Sequence, residues 1–514
     1  MTKLKRNSQN QNIYRGKFFK KSLATLLVGA PGLFALIVTA NLFYWWGAYY
    51  LDAGVQQYSL CNNAIGAMPP AHQEFWGQKS IFYIHGIYTP YLICGGLKFL
   101  VGNSVLAFVI FCALQVLLIS VATFCILKDA SKSFLYGALG AFSIGFSSFA
   151  LGQVGYPHFE LMGVGLLSLG VFLYLKTSSR WSLFLILLGC LTREDMGAHL
   201  ILITAIHWFF KGGKLKEFRG SKSFLIASIA MIGLLINYSV SKIIFNSSSR
   251  LFKMAYVGEP PFEILFNPIG LLQRVSVWIT ANPGIVAMLI IFSLGYALTK
   301  ENFFIALVVA PLPWILINLI APDPAKQTLG IYHGYPFVLY ICGLVAFFLL
   351  DPAKGKSGWN KQIGKIFIVA LVSNSIFASV AAQPSGSSYL FYYNLKQLPI
   401  SSKVIQDTNK SLQILSKALE AEGNILIDDA VASIITSQDR YILSESNLES
   451  TLSVKAFVYF PNYVLGQALR DRLKTKEQLN FRYCISGTNI EVISKTLEDA
   501  NNLKIPLIEC KSPN

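Results

Sequence analysis

Leu191-Thr192-Arg193-Glu194-Asp195-Met196-Gly197-Ala198-His199-Leu200 sets three consecutive ionisable residues between two apolar stretches, 181 to 192 and 196 to 210. Charge is costly inside hydrocarbon, so the run predicts a turn at a membrane face with a short helix on either side. Working outward, apolar runs of roughly 17 to 25 residues, enough to cross a bilayer as helix, recur along the chain. They lie near 23 to 46, 104 to 127, 133 to 151, 160 to 176, 223 to 245, 279 to 298, 302 to 321, 336 to 350 and 363 to 381. With the short pair, this predicts about eleven spans. Of the 514 residues, 54% are hydrophobic and only 13% charged, and the mean hydropathy of +0.50 excludes an ordinary soluble domain.

Lysine and arginine placement sets the orientation. The tail holds Lys3, Lys5, Arg6, Arg15, Lys17, Lys20 and Lys21, and alternate loops repeat the bias: Lys128 and Lys132, Lys176 and Arg180, Lys211 to Lys222, Lys300, and Lys354 to Lys365. The N-terminus is therefore expected in the cytoplasm of a cell with the protein in its inner (plasma) membrane. The net charge of +17 is then a topology signal and an attraction to anionic lipid, with no nucleic acid needed. The first run is too long for a signal-peptide core and ends in Phe43-Tyr44-Trp45-Trp46, an interfacial belt, so it reads as a retained span.

The expected organisation is a basic tail over 1–22, a transmembrane domain over 23–381 with an external loop at 47–103, a linker over 382–401 and an external α/β domain over 402–514. The stretch 87 to 100 is short and holds Pro90, Gly95 and Gly96, which suits an interfacial helix. In the last domain, 402 to 421 and 468 to 479 repeat at helical spacing, while Ile425-Leu426-Ile427 and Ala456 to Phe460 read as buried strands. Cys112, Cys125, Cys190 and Cys342 sit singly in apolar runs as small hydrophobes. Cys484 and Cys510 both fall in the external domain, where an oxidising compartment permits a disulfide.

Threading the spans in order brings the unusual polar residues to one face: Asp52, His85, His158 with Glu160, Arg193-Glu194-Asp195, and Lys326 with His333. Asp52 sits where a span emerges among aromatic residues. Partial desolvation there would make its carboxylate a stronger base, although Asp-Ala-Gly-Val-Gln is also an ordinary helix cap. Arg193-Glu194-Asp195 reads either as a solvated turn or as a cation and carboxylates aimed into an external cavity. The histidines show no metal-ligand spacing. Lys326 and His333, with Arg250, Lys253 and Arg274 in the loop 246 to 278, are cationic groups suited to a lipid phosphate. Neither G-x-x-x-x-G-K-[ST] nor a strand-linked G-x-G-x-x-G occurs, so an activated substrate must come from the membrane phase.

The order LDAGVQQ (51–57), YIHGIYTPYL (83–92), GYPHFE (155–160), LTREDMGAHL (191–200) and IYHGYPF (331–337) resembles a family of prokaryotic polytopic membrane proteins marked by Asp-x-Gly and Lys-Glu-Asp motifs. That family is itself similar to the GT-C glycosyltransferases, and the resemblance covers most of the chain. Here Arg193 stands where the family has Lys, which keeps the charge and changes its geometry. The resemblance implies an all-α GT-C-like transmembrane domain that takes a sugar from a polyprenyl-phosphate carrier at the outer face. It makes Asp52, Glu194 and Asp195 the catalytic candidates. Gln56, His85, His158, Glu160, Arg193, Lys326 and His333 become the substrate-binding ones. The partners implied are membrane lipid, a polyprenyl-phosphate sugar, and an external glycan, lipid or protein acceptor. No cofactor beyond the lipid-linked donor is implied, and the lack of an outer Asp-x-Asp pair leaves a divalent metal open. The competing reading is a transporter or lipid flippase that uses the same outer-face charges; a third is a sensor or scaffold centred on the external domain.

Overall fold

The computed structural model describes residues 21–42, 60–61, 86–212, 218–244, 256–258, 262–322, 324–330, 333–350 and 361–380. Beyond them it describes 425–427, 441–442, 456–459, 481–485, 491–501 and 507–510. Among the described residues, six helices are long and apolar enough to cross a membrane alone. They are α1 (Lys21–Leu42), α3 (Ser104–Ser131), α6 (Glu160–Thr177), α9 (Lys222–Ser239), α12 (Asn302–Ile320) and α14 (Lys361–Val380). Two pairs of helices reach that length and apolarity only together and are bent at the break between them: α4 (Phe134–Gly145) with α5 (Ser148–Gly155), turned by 43°, and α10 (Pro268–Ala281) with α11 (Pro283–Thr299), turned by 92°. Three shorter apolar helices complete the set: α7 (Arg180–Cys190), α8 (Met196–Lys211) and α13 (Pro336–Leu350). Each of the expected apolar runs therefore carries a helix, and the chain is a polytopic helical membrane protein.

Local chemistry explains the boundaries. Asn103 and Ser221 accept backbone N–H groups of Leu106 and Phe224 at 2.9 and 3.2 Å, capping α3 and α9. At the first bend Ser147 turns its hydroxyl back to the Ile144 carbonyl at 2.7 Å and begins a new helix. At the second, Asn282 precedes Pro283 and reaches across to the Thr328 carbonyl at 2.5 Å. The loop expected over 246 to 278 is corrected in part: α10 begins at Pro268, behind an Asn267 side chain that accepts from Gly270 at 2.9 Å. The stretch expected as an interfacial helix is the continuous helix α2 (Tyr88–Val101), with Pro90 harmless in its first turn.

Helices α6 and α13 are apolar all round and buried, and they form the centre of the bundle. Phe149 of α5 stacks on Phe337 of α13 at 5.0 Å. Small residues let neighbours close up. A Cβ on Gly284 would lie 2.5 Å from the Asn374 carbonyl oxygen of α14, a backbone atom that cannot swing aside. Gly284→Ala is expected to destabilise the protein by about 1–3 kcal/mol through overpacking, read as a lowered unfolding temperature in detergent.

The C-terminal part holds a mixed sheet of β1 (Ile425–Ile427), β2 (Tyr441–Ile442), β3 (Ala456–Tyr459), β4 (Phe481–Ile485), β5 (Glu491–Ser494) and β6 (Leu507–Glu509), with the short helix α15 (Leu497–Asn501). Its order is β2-β1-β3-β5-β4-β6, with β1 parallel to both neighbours and the other pairings antiparallel. Both expected strands are present. The expected helical segments over 402 to 421 and 468 to 479, and the linker over 382 to 401, lie outside the described residues. Cys484 and Cys510 are joined, as expected, and a second disulfide, Cys61–Cys94, ties the first loop to α2.

Candidate functional site

The two ends of the bundle differ in chemistry. At the end with the basic loops, Lys176 pairs with Asp129 at 2.9 Å, and Lys222 donates to the Leu175 carbonyl at 2.7 Å, closing the C-terminal end of α6. At the other end a carboxylate network is buried where α6, α8 and α13 begin and α7 ends.

Glu160 opens α6 and is fully buried. Its Oε1 accepts Arg193 Nη1 at 2.8 Å. Its Oε2 meets His158 Nδ1 at 2.5 Å and accepts from Gln153 Nε2 at 3.0 Å. The other faces of these side chains are fixed in turn: Gln115 Nε2 donates to the His158 carbonyl at 2.7 Å, and Gln153 Oε1 accepts from Leu161 N at 3.2 Å. Arg193, 7% exposed, continues to Asp195, with Nε 3.5 Å from Oδ1, and its guanidinium lies 5.3 Å from the Tyr335 ring centre. Tyr335 donates its hydroxyl to Asp195 Oδ2 at 2.6 Å. His199, one helical turn on from Asp195, has Nε2 3.8 Å from the same oxygen and Nδ1 2.8 Å from the Tyr340 hydroxyl. The result is a line of alternating charge, buried at Glu160 and Arg193 and partly open at Asp195, bracketed by histidine and tyrosine.

Electrostatics set what each group can do. Burial alone would raise the Asp195 carboxyl, but Arg193, His199 and Tyr335 outweigh it and hold the group well below the usual carboxylate range. Such a carboxylate is a fixed negative charge and a poor proton acceptor near neutral pH. His333 sits in the turn before α13. Burial first, then Lys326, Arg193 and His158, push its imidazole well below the ordinary histidine value, and only Asp195 opposes them. It is therefore neutral near pH 7. A base whose folded value is depressed binds its proton more readily when unfolded, so its share of stability is full above about pH 6.5 and is lost as pH falls. Unfolding free energy should drop by at most about 1.4 kcal/mol per pH unit from this group below pH 6.5. His333→Gln is expected to flatten that part of the pH–stability curve, measured by thermal unfolding in detergent.

Of the residues expected at the site, His158, Glu160, Arg193 and Asp195 form one network, and His333 and Lys326 act electrostatically on one another beside it. Lys326 Nζ lies 5.5 Å from the Tyr256 ring centre. Glu194 turns the other way: its Oε2 accepts the Gly86 N–H at 3.4 Å. Thr89 also binds this region, donating its N–H to the Leu191 carbonyl at 3.2 Å and its hydroxyl to the Leu188 carbonyl at 2.7 Å. Asp52, Gln56 and His85 lie outside the described residues, as do Arg250 and Lys253. Arg274 closes the end of α12, donating to the Leu319 and Ala321 carbonyls at 3.0 and 2.9 Å. Gln115, Gln153, His199, Tyr335 and Tyr340 belong to the site and were not expected. Gln115 and Gln153 carried a signal, a glutamine inside a long apolar run; the tyrosines carried none. Among the described residues, the one cluster with metal-ligand proximity is Cys484, Glu491 and Cys510, whose two sulfurs are spent in the disulfide.

The fold is that of a polytopic helical membrane protein, with a carboxylate–guanidinium line at one end of its helical bundle. No family model matches the sequence, and no curated protein matches it. The fold is similar to that of ArnT from Cupriavidus metallidurans, solved bound to undecaprenyl phosphate, with 92% of this chain and 98% of that chain covered, a TM-score of 0.49 and 9% sequence identity. A similarity of that degree leaves the chemistry to be read from this chain's own residues.

Proposed function

We propose that this protein is a GT-C-like glycosyltransferase that moves a sugar from a polyprenyl-phosphate donor to a glycan, lipid or protein acceptor at the outer face of the inner membrane. The observation that carries the reading is the line Glu160–Arg193–Asp195, buried at its first two members and partly open at the third, set at the end of the bundle away from the basic loops. A charge network of this kind, largely enclosed by protein, suits a reaction in which negative charge develops on a leaving phosphate. Arg193 is committed to two carboxylates, and His333 is neutral, so Lys326 is the cation assigned to the donor phosphate and His333 a hydrogen-bonding neighbour. Asp52 takes the proton of the acceptor hydroxyl as that oxygen attacks the sugar. The sugar–phosphate bond breaks, and polyprenyl phosphate leaves with its charge paired to Lys326. Glu194, through Gly86, holds the first loop against the turn.

The disulfide Cys61–Cys94 belongs to that same loop, and a disulfide fits an oxidising compartment, in line with the loop lying outside and the N-terminus in the cytoplasm. The test is reconstitution of the purified full chain in liposomes with a polyprenyl phosphate carrying a labelled sugar and an acceptor extract. Transfer of label with release of polyprenyl phosphate supports the proposal. Uptake of label into the vesicles with no transfer overturns it in favour of transport.

A further inference from the structure

The opposite end of the bundle carries a pocket that the proposed reaction does not use. A cavity of about 210 Å³ opens where α8, α11 and α13 end and α12 begins. Lys211, Lys300 and Glu301 line it, over a floor made by His207, Phe347 and Phe348. The floor is ordered: the buried His207 ring lies nearly parallel to Phe347 at 5.1 Å and edge-on to Phe348 at 5.0 Å. Asn302, also lining the cavity, ties its wall together by donating to the Phe210 carbonyl at 2.9 Å.

The mixture of charges is informative. A plain anion would be attracted by the two lysines and repelled by Glu301; a plain cation would meet the reverse. A ligand carrying a phosphodiester and an ammonium together satisfies all three. Because the pocket sits where spans end, lipid headgroups are its neighbours. Its volume is below that of drug-sized sites, enough for a headgroup whose acyl chains stay in the bilayer. We propose that this pocket binds the headgroup of a phosphoethanolamine lipid, with the phosphate on Lys211 and Lys300 and the primary ammonium donating to Glu301.

The experiment uses the delipidated full-length protein in detergent, titrated in native mass spectrometry with phosphatidylethanolamine, phosphatidylcholine and phosphatidylglycerol of matched chains. Phosphatidylethanolamine should bind at least about fivefold tighter than either of the others, a preference near 1 kcal/mol. The choline lipid keeps the phosphate but cannot donate a hydrogen bond to Glu301. Glu301→Gln should erase the preference over phosphatidylglycerol, and Lys300→Gln should weaken every phospholipid. Equal or tighter binding of phosphatidylglycerol by the unaltered protein overturns the proposal in favour of a simple anion site, and this comparison decides even where a variant fails to fold. A Glu301→Gln protein that folds and keeps the ethanolamine preference overturns it as well.

Discussion

Replacing Glu160 with alanine is expected to destabilise the protein by about 3–5 kcal/mol and to remove activity with it, because the change leaves Arg193 buried without one of its two carboxylates. The side chain is fully buried and holds three partners, Gln153, His158 and Arg193, drawn from α5, from the α5–α6 connection and from the α7–α8 turn. Their geometry was fixed around a charge, so the loss is larger than that of a surface ion pair. Glu160→Gln keeps the volume and one acceptor and should lose less. The discriminating measurement is a double substitution. If the cost comes from an uncompensated guanidinium, Glu160→Gln with Arg193→Met should recover part of the stability lost by Glu160→Gln alone. Equilibrium unfolding in detergent reads all four proteins. An alanine variant as stable as the starting protein would sink the claim that this network holds the ends of the helices together.

That network also shows how far a chain of this kind can be read before its structure is seen. Long apolar runs and their polar interruptions are one-dimensional signals, so the helices fall where the runs do, and caps such as Asn103 and Ser221 mark their starts. Bends are different. The bends after Ser147 and at Asn282 are held by partners elsewhere in the chain, Asn374 on Ser148 and the Thr328 carbonyl on Asn282, and only the second has a proline to announce it. Helix α10 was hidden because its apolar face is interrupted by Gln273 and Arg274, and Arg274 finds its purpose only at the end of α12. The site was legible as far as its charges went. Glu160, Arg193 and Asp195 could be singled out because charge in an apolar setting demands an explanation. Tyr335 and Tyr340 were not, since tyrosine at a membrane interface is ordinary. Cys61–Cys94 was missed for a similar reason: nothing in the spacing of two cysteines in a loop and a helix says that their chains approach.

Asp52→Asn is expected to lower sugar transfer by about 10²- to 10⁴-fold, the range for loss of a general base, while leaving the unfolding temperature unchanged. The three carboxylates of the site are already engaged. Asp195 is held far below the range of a useful base by Arg193, His199 and Tyr335, and protonating it would remove the charge that pairs with Arg193. Glu160 is locked by three donors, and Glu194 accepts the Gly86 N–H at the edge of the first loop. With these three tied up by their partners, the proposed mechanism gives the proton to Asp52. The stability measurement separates the roles, because Asp195→Asn should lower both the unfolding temperature and transfer, whereas Asp52→Asn should lower transfer alone. The pH dependence adds a second check. If Asp52 is the base, transfer by the unaltered protein should fall on the acid side as its carboxylate protonates, and the residual activity of Asp52→Asn should lack that limb. Full activity in Asp52→Asn would remove it from the mechanism and return the proton to one of the buried carboxylates.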